Sequence, residues 1–186
     1  MNKKGLALLL ALMLVIGAAV GGTVAWLTAK TDAVVNTFTT SDISIKLEET
    51  TTDYKMVPGY AISKDPTVTV LAGSEKCYLF VKLEESDNFD DFLNFTIADD
   101  WTQGDGTNIP SDVWYRTVDA STANQEFAVL KDDQVTVKES VTKADMNGLT
   151  ETTYPKLTVT AYASQFSKDG TTNFTAAEAW TNVPKA

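Results

Sequence analysis

The chain of 186 residues has no histidine, one cysteine and one arginine, and each scarcity removes a class of chemistry. Without an imidazole there is no Ser-His-Asp or Cys-His nucleophile and no histidine-ligated catalytic zinc. A lone Cys77 permits no intramolecular disulfide, so packing must hold the fold together. Its position in an apolar, strand-like run marks it as a small buried hydrophobe in preference to a reactive thiol. Cations are also scarce, with 15 Lys and Arg against 25 Asp and Glu and a formal charge of −10. Nucleic acid is therefore not an expected partner, because Lys and Arg contacts to phosphates supply most of that affinity. An acidic surface of this kind keeps a protein soluble through mutual repulsion. No exact internal repeat and no low-complexity linker divides the chain, and its length suits one domain with a sizeable core.

What is present starts with a leader. Lys3 and Lys4 form a basic n-region, residues 6–20 are almost wholly apolar, and Gly21-Gly22-Thr23 loosens the run. This is the three-part layout of a secretory signal peptide. Signal peptidases take small side chains at the −3 and −1 positions, which Thr23 and Ala25 supply, so cleavage is expected between Ala25 and Trp26. Removing Lys3 and Lys4 with the leader takes the formal charge from −10 to −12. The alternative is a retained membrane anchor, since the stretch between Lys4 and Lys30 carries no charge and is long enough to cross about 30 Å of hydrocarbon as a helix. The Gly-Gly-Thr break favours cleavage. The membrane would then be met only transiently, during export.

The remainder reads as strands. Ile43, Ile45 and Leu47 alternate with polar residues, Pro58-Gly59 marks a turn, and Val68 and Val70 carry a second alternation. Cys77, Leu79, Val81 and Leu83 alternate with Tyr78, Phe80, Lys82 and Glu84, and the aromatic pair predicts that the second face is covered as well. A helical turn is expected near 89–93, then strands over 92–97, 113–118 and 127–130. Lys131-Asp132-Asp133 reads as a turn into Val135 and Val137, and 141–149 as a loose helical turn. Leu157, Val159, Ala161 and Ala163 alternate with Thr158, Thr160 and Tyr162. Thr175 and Glu178 have capping-box spacing for a short helix through Trp180. The expected architecture is all-β: a single antiparallel β-sandwich over 41–186 with short helical turns, preceded by a signal peptide (1–25) and an N-terminal segment (26–40).

Gly21-Gly22-Thr23-Val24-Ala25-Trp26-Leu27-Thr28, followed by Asn36-Thr37-Phe38-Thr39 and Asp42 to Leu47, resembles the start of the TasA and camelysin family of Gram-positive bacteria. The resemblance extends more loosely through Pro58-Gly59, the strand from Cys77 and residues 157–180. It implies export through a SipW-type signal peptidase, a jelly-roll sandwich, and a place among biofilm-matrix or cell-surface fibre proteins. It also implies self-association in which an N-terminal donor strand completes a neighbour. In this chain the donor candidates are Trp26, Leu27, Val34, Val35 and Phe38.

Two other functions fit less well. An adhesin-like module recognising a glycan or a host protein would use exposed aromatics such as Trp101, Trp114 and Trp180. The camelysin label implies a metallo-endopeptidase, for which the zinc-ligating histidines are missing. Paired carboxylates could serve a hydrolase, but none lies in a recognisable motif, so no catalytic residue, metal site or cofactor is expected. Acidic loops at Asp87, Asp90 and Asp91 and at Asp99, Asp100 and Asp105 do not reproduce the ligand spacing of a calcium loop.

Overall fold

The computed structural model describes residues 42–50 and 55–184. The strongest alternation in the sequence forms the central strand β4 (Cys77–Glu85). It pairs antiparallel with β10 (Leu157–Gln165) on one side and β7 (Val113–Val118) on the other. The two-residue β6 (Thr102–Gln103) completes a four-stranded sheet ordered β10-β4-β7-β6.

Because side chains alternate along a strand, β4 serves two cores at once. Cys77, Leu79, Val81 and Leu83 enter the main core, while Tyr78 and Phe80 enter a second one. The predicted cover over Tyr78 and Phe80 is present, and it is the helix α3 (Ala176–Asn182). Phe80 and Trp180 have ring centroids 5.3 Å apart, and Tyr162 meets Trp180 edge-on at 5.5 Å. Thr175 caps α3 as its spacing predicts: its hydroxyl accepts from the Glu178 amide, and Glu178 accepts in return from the Thr175 amide. Two shorter helices, α1 (Phe89–Phe92) and α2 (Lys143–Asn147), lie where helical turns are expected.

Two further sheets close the main core. One has the order β1-β3-β8, from β1 (Ile45–Glu48), β3 (Thr67–Val70) and β8 (Gln125–Ala128). The other has the order β2-β9-β5, from β2 (Ala61–Ser63), β9 (Leu130–Val137) and β5 (Leu93–Ile97). Val68, Val70, Val135, Val137 and Leu93 from these sheets join the apolar face of β4 in one cluster.

The expected single jelly-roll sandwich is not what forms. The strands make three separate small antiparallel sheets, none closed or curled. The cause lies in two local breaks. Chain passes from β2 to β3 through Pro66, which has no N–H for a ladder, and along the facing strand Asp132 and Asp133 take the left-handed backbone at φ 56° and 53°. The ladder therefore splits, and at the kink Lys64 N–H donates to the Asp133 carbonyl (2.7 Å) and Val129 N–H to the Pro66 carbonyl (3.0 Å). The expected turn at 131–133 is likewise a kink inside β9, and β2 and β6 are too short to leave a periodic signal.

Candidate functional site: an open edge and its groove

Among the described residues each sheet ends in strands with one neighbour, and these edges are not alike. Strand β2 has three residues and β6 two. On β1, Lys46 and Glu48 form an exposed ion pair at 2.6 Å, β8 carries Glu126, and β5 breaks register between Phe95 and Ile97. Short length, charge and bulges are the usual devices that stop an edge from pairing with another chain. Strand β10 has none of them. It runs for nine residues, Leu-Thr-Val-Thr-Ala-Tyr-Ala-Ser-Gln, with no charge and no proline.

The register shows which groups β10 offers. Ser86 N–H donates to the Lys156 carbonyl and Phe166 N–H to the Lys76 carbonyl, so in the antiparallel alternation the even-numbered residues between them bond to β4. The main-chain groups of Leu157, Val159, Ala161, Ala163 and Gln165 then face outward. The side chains of the first four of these pack on the main core, and all four are half-exposed, whereas their β4 partners Leu83, Val81, Leu79 and Cys77 are buried. Among the described residues no strand pairs with the outward donors and acceptors of β10, although β1 passes close to it, and the core along this line is only partly covered.

Beside the start of β10 lies a groove of about 290 Å³. It is lined by the apolar Ile62, Phe89, Val135 and Leu157 together with Lys64 and Lys156. It separates β10 from β2, another sheet edge: Tyr60 and Lys64 bond to β9, which leaves the main-chain groups of Ala61 and Ser63 facing away from it. Lys64 is held by Glu49 at 2.5 Å. Tyr60 and Tyr154, two of the most exposed large apolar side chains, are close in sequence to groove residues. An apolar side chain fits such a lining, and a strand fits the flanking edge.

The opposite side of the main core is closed. Trp101 is 8% exposed, and its indole N–H donates to the Ala128 carbonyl at 2.9 Å. The Arg116 guanidinium stacks 4.3 Å from the centre of the Phe127 ring and 5.5 Å from that of Trp101.

These placements correct the aromatic-loop expectation. Trp101 and Trp180, taken as exposed recognition residues, are core: Trp101 folds back over β8 after Asp100 turns the chain at φ 70°, and Trp180 lies on the buried side of α3 with 5% exposure. Trp114 is half-buried against the main core. The acidic loops have local roles. Asp105 accepts from the amides of Thr107, Asn108 and Ile109, and the Asn108 side-chain amide leads these contacts in holding its carboxyl well below the usual range. Asp99 pairs with Lys131 at 3.4 Å, and Asp90 and Asp91 fill the first turn of α1. Among the described residues no three His, Cys, Asp or Glu side chains converge as metal ligands. Burial pushes the Cys77 thiol up to about 11, which keeps it protonated at neutral pH.

The cleavage residues Thr23, Ala25 and Trp26 and the donor candidates Leu27, Val34, Val35 and Phe38 lie outside the described residues. The acceptor side was missed in the sequence. A long uncharged strand is the pattern of a sheet centre, so β10 gives no sign of being an edge. Comparison with protein-family models, with curated proteins and with solved structures finds no match.

Proposed function

We propose that the protein is a secreted structural subunit of extracellular matrix or cell-surface fibres, built by strand exchange between copies. The leader is cut between Ala25 and Trp26 by a SipW-type signal peptidase, in keeping with the resemblance to the TasA and camelysin family. The freed segment 26–40 of one copy then adds along β10 of the next. The observation that carries this reading is the bare nine-residue edge of β10 above a half-covered core. Main-chain hydrogen bonds to Leu157, Val159, Ala161 and Ala163 give the affinity. Apolar donors such as Val34, Val35 and Phe38 complete the cover.

The recognition-module alternative is weakened by the burial of Trp101 and Trp180, and nothing in the described residues favours a peptidase. Negative-stain microscopy of protein starting at Trp26 tests the proposal. Filaments are expected, and deletion of 26–38 should leave a folded monomer. Filaments that persist after the deletion would rule out donor-strand assembly.

A further inference from the structure

Strand β8 is also an edge, and the structure shows why it is a poor one. Val129 N–H donates to the Pro66 carbonyl, which puts Phe127 and Gln125 in hydrogen-bonded pairs with β3 and turns the main-chain groups of Glu126 and Ala128 outward. One of those outward acceptors, the Ala128 carbonyl, is already taken by the Trp101 indole. Next to it lies Arg116, the only arginine of an acidic chain. Its register partner Leu79 faces the main core, so Arg116 directs its side chain to the same face, where it lies against Phe127 and Trp101.

Among the described residues the Arg116 cation has no ion pair or side-chain hydrogen bond, and its Nε is buried without a partner. Arg116 stands on β7 (Val113–Val118), an inner strand of the other sheet, and sets its permanent charge against the β8 edge, where charge is a known means of preventing further pairing. Any strand laid along β8 would have to cover this guanidinium, and burying an unpaired charge is costly. Arg116 is only partly buried, so its cation keeps water contact that a covering strand would remove.

We propose that Trp101 and Arg116 form a plug that closes the β8 side to strand addition, so that each subunit has one acceptor edge and assembly is unbranched and head-to-tail. This rests on the strand-exchange reading for the kind of contact it prevents. A heterologous contact repeated at one edge gives a single filament, whereas a second accepting edge gives branches or lateral sheets.

The test compares the full secreted chain with Arg116→Met, which removes the charge and keeps an apolar stem, and with Arg116→Lys, which keeps the charge. Circular dichroism confirms the fold of each. In negative stain, Arg116→Met is expected to raise branching and lateral bundling several-fold, with Arg116→Lys close to wild type. Unbranched Arg116→Met filaments would overturn the plug. If Arg116→Met does not fold, hydrogen exchange on wild-type filaments decides: the amides of Glu126 and Ala128 should exchange as they do in the monomer, and protection there on assembly contradicts the proposal. If the wild-type chain stays monomeric, the fibre reading fails separately. The plug is then supported if Arg116→Met gains self-association in light scattering, and overturned if it does not.

Discussion

The two sides of the main core differ in how they are finished. At β8, an indole occupies an outward carbonyl and a stacked guanidinium lies across the apolar rim. At β10, five residues direct main-chain groups outward with no partner among the described residues, and the core side chains of four of them are only partly buried. Both are edges of antiparallel sheets, but β8 is four residues long and carries Glu126, whereas β10 is nine residues long and uncharged. The difference lies in which edge has been blocked, and an edge left bare where its counterpart is guarded is the one available to a partner.

The largest expected effect uses the odd and even residues of β10. Ala161 directs its N–H outward, so Ala161→Pro removes no bond to β4 but prevents a strand from adding. Filaments should disappear while the melting temperature changes little. Thr160→Pro, one residue away, removes a bond to β4 and should cost about 3 kcal/mol or more of stability. Equal behaviour of the two variants would erase the distinction between the faces of this strand.

Core truncations give the next effect. Phe80 is fully buried between β4 and α3, and Phe80→Ala should cost about 3–5 kcal/mol in urea unfolding of the monomer. Val159→Ala on β10 should cost about 1 kcal/mol or less, because its side chain is half-exposed already. A similar loss for the two would show that the β10 side is covered in the free subunit.

The smallest effects concern α3. Thr175→Ala removes the cap and should cost about 1 kcal/mol. The Lys168 ammonium, followed by the Thr175 amide and hydroxyl, holds the Glu178 carboxyl at about 2, below its ordinary 4.5. Asp169 is also held at about 2, by the amides of Thr172 and Thr171. Since both folded-state values are depressed, these contacts contribute fully above the ordinary carboxylate range and are lost as the pH falls toward about 2. Trp180 emission should shift to the red over that acid window, and it should do so at higher pH in Glu178→Gln.

Much of this architecture was legible in the chain. The strict alternation from Cys77 to Leu83 gave the central strand and its second covered face, and Thr175 with Glu178 gave the last helix. The three-sheet arrangement was not legible, because it depends on a kink at which Pro66 meets Val129 while Lys64, two residues earlier, meets Asp133 beside Asp132, both aspartates in left-handed conformations, and none of these features has a period. Nor was the site. Strand β10 looks like a sheet centre, since the missing charge that makes it open also makes it resemble a protected strand. Trp101 looked like a ligand-binding loop residue because its bond to Ala128 joins positions 27 apart in sequence.

The most direct measurement is residue-resolved hydrogen exchange along β10, before and after assembly of the mature chain. In the monomer the amides of Thr158, Thr160, Tyr162 and Ser164 should be protected and those of Val159, Ala161 and Ala163 should exchange quickly. In filaments this second set should become protected too. Fast exchange at Val159, Ala161 and Ala163 within filaments, or protection of these amides in the monomer, would contradict the claim that β10 is the open edge on which copies join.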